Sequence, residues 1–222
     1  LDFGVQDNTV ILWWQYDGQK FYLLEGLQAK QRGIDFYVPF LLPTFPLDSN
    51  WKETYWLNSW QEVMERVRRW KKPQAYFGEI DHFKITMPNR TSIAQELFKI
   101  SRGQIKLLKN NFGNSHEARK AGVDKILPFT VFNANSNFAT RCYDAMLNSR
   151  YKKIKEGTST ASETTLNKPA HDDVISDYRA AFENFAVNAD KVVRRSSIDN
   201  EGQETYYYDR VGEILNNNYY GG

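Results

Sequence analysis

Thr9-Val10-Ile11-Leu12-Trp13-Trp14-Gln15-Tyr16 is a run of β-branched and aromatic residues, and Asp17-Gly18 follows it at once. Such a run is a strand, and an Asp-Gly pair at its end is a hairpin turn. Lys20-Phe21-Tyr22-Leu23-Leu24 supplies the return strand. Upstream, Leu1-Asp2-Phe3-Gly4 reads as the end of another buried strand turning on glycine. Three antiparallel strands joined by tight turns are therefore expected at the start of the chain.

Downstream the pattern changes. Residues 33–56 carry Pro39, Pro43 and Pro46 among many aromatics, which argues against a central strand and predicts an ordered loop over the core. Leu57, Trp60, Val63, Met64, Val67 and Trp70 recur at helical spacing, with Asn58-Ser59 as a start. Gln74 to Asp81 reads as a core strand ending in carboxylates. Ser92 and Gln95 have the spacing of a capping box, Ile93, Leu97 and Ile100 mark the helix, and Gly103 stops it. Ile105 to Leu108 is then a short strand, so this strand–helix–strand unit predicts a parallel pair with a crossover. Glu117 to Lys125 is a candidate helix, Thr130-Val131-Phe132 an edge strand, and Phe138, Cys142, Ala145 and Met146 a helix face. The Ser/Thr-rich stretch 157–167 reads as a mobile surface loop. Val174, Ile175, Tyr178, Ala181, Phe182 and Phe185 define the buried side of a last helix. The fold class is α/β, with an antiparallel start followed by parallel strands and flanking helices.

The 222 residues suit one large domain with a small appendage, drawn at 1–190 with a polar tail over 191–222. With 41% hydrophobic and 15% aromatic residues the chain has a real core. A net charge of +2 says almost nothing about partners, and the single Cys142 excludes an internal disulfide framework and any Cys-rich zinc site. No apolar run is long enough to span a bilayer, so no membrane partner is expected. The chain opens on Leu1 within an expected strand and without an initiator Met, which predicts a fragment of a longer polypeptide.

Three acidic clusters lie at strand ends or helix starts: Asp2 with Asp7, Glu79 with Asp81, and Asp172 with Asp173. A carboxylate at the end of an apolar strand is costly to bury unpaired. Read alone, Asp172 caps the last helix and Asp173 sits in its first turn, favourably placed against the dipole. Two adjacent carboxylates also repel unless a cation shares them, and hard divalent ions take such oxygen ligands. Two ions roughly 3.5–4 Å apart would activate a water and stabilise the leaving oxygen of a phosphodiester.

The order Asp2-Phe3-Gly4 with Asp7-Asn8-Thr9, then Phe77-Gly78-Glu79, then Pro169-Ala170-His171-Asp172-Asp173-Val174-Ile175-Ser176-Asp177 resembles the nuclease domain of tailed-bacteriophage terminase large subunits. The resemblance covers roughly residues 1–187. It implies a ribonuclease H-like fold and an endonuclease that cuts double-stranded viral DNA during genome packaging, with two Mg²⁺ or Mn²⁺ ions. It implies Asp2, Glu79, Asp172 and Asp173 as catalytic metal ligands and Asp7 as an auxiliary acid. The family's second motif usually carries Asp after the glycine; here Glu79-Ile80-Asp81 leaves Asp81 as the alternative, and strand register favours Glu79. Set after Asp2 and Glu79, the Asp172-Asp173 pair is read as metal-binding, with Asp173 slightly preferred. The family's ATPase domain, with its G-K-[ST] phosphate loop, is absent from this chain. The portal protein, the small terminase subunit and that ATPase domain are the implied partners, and the host cytoplasm the implied location.

Basic side chains offer sequence-independent grips for the DNA backbone: Arg66 and Arg69, Lys106 and Lys109, Arg119 and Lys120, and Arg150, Lys152 and Lys153. For each, a solvated surface is the simpler reading. His82, His116 and His171 lack the ligand spacing of a zinc site, and Cys142 reads as core. Two rivals remain: another ribonuclease H-like enzyme such as a resolvase or transposase core, and a non-catalytic packaging module whose acids are caps and ion-pair partners.

Overall fold

The structure, a computed structural model, describes residues 8–47, 58–85, 90–109, 116–147, 150–151, 166–167 and 173–193. In chain order its elements are strands β1 (Asn8–Tyr16) and β2 (Phe21–Lys30), helices α1 (Ile34–Leu41) and α2 (Asn58–Val67), strand β3 (Tyr76–Gly78), helix α3 (Ile93–Ile100) and strand β4 (Leu107–Lys109). They continue with helix α4 (His116–Ile126), strand β5 (Thr130–Phe132), helix α5 (Asn137–Leu147), the short strands β6 (Arg150–Tyr151) and β7 (Leu166–Asn167), and helix α6 (Asp173–Ala186).

β1 and β2 form the expected hairpin, paired antiparallel from Asn8↔Lys30 to Tyr16↔Phe21. Asp17 builds its turn: one carboxylate oxygen accepts the backbone N–H of Gln19 at 2.8 Å and of Lys20 at 2.7 Å. Gly18 takes φ +98°, a conformation open to glycine at little cost. Both faces of the hairpin are buried, which is why its sequence is apolar almost without alternation. Val10, Leu12, Phe21 and Leu23 enter one core, and Ile11, Trp13, Leu27 and Ala29 the other. β2 changes face because Trp13 opposes Glu25 while Trp14 opposes Leu23, leaving Leu24 as the extra residue of a bulge.

The third strand of this sheet is β5, parallel to β2 with Phe21↔Thr130 and Leu23↔Phe132, so the described order β1-β2-β5 mixes both directions. The strand expected over Leu1–Gly4 lies outside the described residues. β3 and β4 pair parallel from Tyr76↔Leu107 to Gly78↔Lys109, joined through α3 as the strand–helix–strand pattern predicts. Ser92 caps α3 reciprocally: its Oγ accepts from Gln95 N–H at 3.2 Å, and its own N–H donates to Gln95 Oε1 at 2.8 Å. Gly103 ends the turn that follows α3 at φ +81°, its N–H donating to Phe98 O at 2.7 Å.

Helices cover both faces. α1, α2 and α3 enclose the core containing Phe36, Phe40, Trp60, Val63, Met64 and Leu97. α4, α5 and α6 enclose the other, with Ile126, Ala139, Cys142, Tyr178, Phe182 and Phe185. The architecture is thus α/β, with a mixed three-stranded sheet flanked by helices. Among the described residues, no helix is long and apolar enough to cross a membrane.

Two expectations are corrected. Residues 33–56 were expected to loop over the core because of their prolines, yet Ile34–Leu41 is a helix with Pro39 inside it. Pro39 forfeits one helical hydrogen bond, a cost of about 3 kcal/mol. Phe36, Tyr37, Val38, Phe40 and Leu41 are all buried, and at about 1.5–3 kcal/mol for each such side chain their burial outweighs that loss. Residues 48–56 of the same stretch lie outside the described residues. Leu166–Asn167, expected within the Ser/Thr-rich loop, instead pairs antiparallel with Arg150–Tyr151. At the far end, residues 189–193 are helical.

Candidate functional site at the carboxyl end of β3

β3 is buried throughout, and the chain leaves it through Gly78 into Glu79 and a 3-10 turn, Ile80–Phe83. A Cβ on Gly78 would stand 2.8 Å from His82 Nδ1 and 3.2 Å from Leu107 Cδ1, so the glycine is what lets the imidazole lie against the strand end. His82 is buried, its Nδ1 accepts the Glu79 N–H at 3.0 Å, and its backbone N–H donates to Glu79 O at 3.2 Å. An accepting Nδ1 assigns the ring proton to Nε2. The backbone of Glu79 is therefore clamped from its own turn.

The Glu79 side chain, 15% exposed, points at α4 and α6. Asn184 Nδ2 on α6 donates to its Oε1 at 2.8 Å, and Arg119 Nη2 on α4 stands 3.4 Å from the same oxygen. Arg119 Nη1 is also 3.4 Å from Glu183 Oε2, so one guanidinium spans two carboxylates. Glu183 Oε1 is 3.2 Å from Arg179 Nε, but that N–H is not aligned with it, and the pair is coulombic rather than hydrogen-bonded. Two carboxylates and two guanidiniums leave this group formally neutral. Asn188 Nδ2 donates to Asn184 O at 2.8 Å, and Lys191 Nζ donates to Asn188 Oδ1 at 3.0 Å and to Lys109 O at 3.1 Å. The carboxyl ends of both parallel strands are thus tied to the same stretch of chain, the place where open α/β sheets bind ligands.

α6 also reaches β1, where Asn8 Nδ2 donates to Asp177 Oδ2 at 2.9 Å. Asp177 and Asn184 are seven residues apart on one helix face, about 10 Å along the axis at 1.5 Å per residue. Asp173, the first residue of α6, stands eleven residues before Asn184, about 16 Å along the same axis. Of these two acids, Asp177 is the one nearer along the helix to Asn184, which contacts Glu79.

Other expected residues are distributed as follows. Asp81 is exposed and pairs with Lys84 Nζ at 2.6 Å, away from Glu79's partners. Asp2, Asp7, Asp172, Lys152 and Lys153 lie outside the described residues, as do the side chains of Asp173 and Arg150. Among the described residues, no group of three or more His, Cys, Asp or Glu side chains gathers to hold a metal. Arg66 is drawn onto Glu25 at 2.6 Å and stands 3.9 Å from Glu62. Arg69, Lys106 and Lys109 are exposed. Arg119, expected among the DNA-gripping cations, instead lies between Glu79 and Glu183. Cys142 is buried, and burial pushes its thiol well above the ordinary range, which suits packing and not nucleophilic chemistry.

Glu183 and Asn184 were missed on sequence. Their signal is local: two polar residues set between Phe182 and Phe185, both of which are buried, on the apolar face of a helix. Buried polar groups in such a setting have partners, and here those partners define the site. No family model, curated protein or solved structure matches this chain.

Proposed function

We propose that the chain is a metal-dependent endonuclease domain of ribonuclease H-like fold, hydrolysing phosphodiester bonds of double-stranded DNA during viral genome packaging. The observation that carries this reading is Glu79: a largely buried carboxylate at the carboxyl end of a buried parallel strand, facing a helix that bears Asp177 and begins at Asp173. The hairpin, the later parallel pair and the helices on both faces support the same architecture. In kind, the carboxylates of Glu79 and Glu183 offer the oxygen donors that a hard divalent cation takes. Bound Mg²⁺ or Mn²⁺ would supply an activated water and a stabilised leaving oxygen. Within this proposal Glu79 is the strand ligand, Asp2 its counterpart from the first strand, and Asp172 or Asp173 the helix contribution, with Asp177 added as an auxiliary acid beside Asp7. Arg69, Lys106 and Lys109, all exposed, are the proposed contacts to backbone phosphates. The portal protein, the small terminase subunit, an ATPase domain and the host cytoplasm belong to the same proposal. Plasmid cleavage with Mg²⁺ or Mn²⁺ tests it: Asp2→Ala, Glu79→Ala and Asp173→Ala should each abolish cutting while folding and DNA binding persist. Unchanged cleavage by these variants rejects the assignment.

One observation favours a second reading, a non-catalytic packaging module. Glu79 is already engaged by Arg119 and Asn184, and a carboxylate so satisfied needs no metal. Thermal unfolding across a Mn²⁺ titration separates the two, because an ion that binds only the folded chain raises its stability.

A further inference from the structure

We infer that the turn after α3 is a binding platform for single-stranded nucleic acid, with Phe98 as a stacking surface for a base and Lys99, Arg102 and Lys106 as contacts to the phosphates beside it. The inference goes beyond the nuclease reading: it shares Lys106 with the proposed phosphate contacts but needs neither a metal nor Glu79. From Leu97 to Lys109 the chain carries four cations and no acid. Lys99, Arg102 and Lys106 are exposed, and among the described residues none of the three has an ion-pair partner. Lys84, Lys120 and Lys125, also on the surface, each hold an acid. The α3 dipole accounts for Lys99 in the last turn of the helix, but not for Arg102 and Lys106 beyond it. Phe98 stands among these cations 49% exposed, while Leu97 beside it is fully buried. The outer end of its ring rests on the turn: a Cβ on Gly103 would stand 3.4 Å from Phe98 Cζ. Hydrogen bonds fix that turn, from Arg102 N–H to Lys99 O at 3.1 Å and from Ile105 N–H to Ser101 Oγ at 2.9 Å. Arg102 is held within it at φ +53°, a left-handed conformation that costs any residue with a Cβ. Leu97 and Ile105, both buried in the core, pin its two ends. A half-open ring on a fixed turn, among unpaired cations, is the combination that holds single strands: bases stack on the ring and phosphates meet the charge. An acidic protein segment would use the cations but leave the ring without a partner. The platform lies at the amino end of β4, whereas Glu79 follows the carboxyl end of its parallel partner β3.

The test follows the anisotropy of a fluorescent oligothymidylate of about 16 nucleotides titrated with the whole chain in EDTA, so that no metal-dependent cleavage intervenes. Phe98→Leu keeps the apolar contact with Gly103 but offers no ring, and should weaken binding roughly tenfold, the size of one lost base stack. Phe98→Trp should bind at least as tightly as the parent. Lys99→Gln, Arg102→Gln and Lys106→Gln should each flatten the dependence of log affinity on log salt by about 0.7. Unfolding midpoints near the parent's establish that these surface variants are folded. Parent-like binding by Phe98→Leu overturns the stacking role, and a salt dependence unchanged in all three cation variants overturns the phosphate contacts. Polyglutamate that competes as well as unlabelled oligothymidylate marks a surface for an acidic protein segment and overturns the assignment, as does a parent chain that does not bind. None of these outcomes touches plasmid cleavage, by which the nuclease reading stands or falls.

Discussion

Glu25 and Arg66 meet at 2.6 Å, the carboxylate fully buried in β2 and the guanidinium reaching it from α2. The other Glu25 oxygen accepts the N–H of Gly26 at 3.0 Å and the hydroxyl of Ser136. Ser136 in turn caps α5 through Ala139 N–H at 3.0 Å. One buried acid therefore ties a helix from each face to the strand between them. Breaking a fully buried pair costs about 3–5 kcal/mol; because Arg66 is 41% exposed, Arg66→Ala should cost about 2–3 kcal/mol. Urea unfolding measures it, and Arg66→Met, which keeps the aliphatic stem, should lose nearly as much if the charge is what matters.

Gly26 lies where α5 presses on β2. A Cβ there would stand 2.8 Å from Phe138 Cβ and 3.2 Å from Leu12 Cδ2. A β-carbon has no rotamer with which to retreat, so Gly26→Ala should destabilise by about 1–3 kcal/mol. The denaturant midpoint should fall with the slope unchanged.

Asp17 gives the hairpin an acid-sensitive corner. Burial pushes its carboxyl up, but the backbone N–H groups of Lys20 and Gln19 and the hydroxyl of Tyr22 together outweigh that and hold it below the usual range. A carboxyl depressed in the folded state stabilises fully above its unfolded value, near pH ~4, and loses that contribution as pH falls through the folded value. Asp17→Asn should accordingly be less stable than the parent at pH 7, with the difference shrinking in acid. A gap that widens on acidification would contradict this assignment.

Asn184 donates to Glu79 Oε1 at 2.8 Å. Asn184→Ala should cost about 2 kcal/mol, as expected for a buried hydrogen bond to a charged group. A double-mutant cycle with Glu79→Gln should show coupling above roughly 0.5 kcal/mol, which independent sites do not reach.

The hairpin, the parallel pair around α3 and the apolar face of α6 were legible because each rests on local physics: turn chemistry, a capping box, a period of 3.6. α1 was not, because its proline obeys a local rule that burial of Phe36, Tyr37 and Phe40 overrides. β5 was legible as an edge strand, but nothing in Thr130-Val131-Phe132 announces a parallel partnership with Phe21–Leu23, which depends on contacts more than a hundred residues apart. At the site, Glu79 could be singled out because an acid ending an apolar strand is anomalous. Arg119 could not be separated from its solvated neighbour Lys120, since the difference lies in what each meets after folding: Lys120 pairs with Asp124 on its own exposed surface.

Leu24 acts as an index mark for the whole hairpin. A plain two-stranded ribbon can slide by two residues and keep every side chain on its proper face, so its alignment is weakly policed. Here the extra residue divides β2 into a segment that serves one core and a segment that serves the other. Any slide carries residues across that division and sends them to the wrong core. The pairing has one frame that satisfies both halves, and Glu25, the residue after the mark, is thereby delivered to Arg66 and Ser136 without a contact of its own choosing the register.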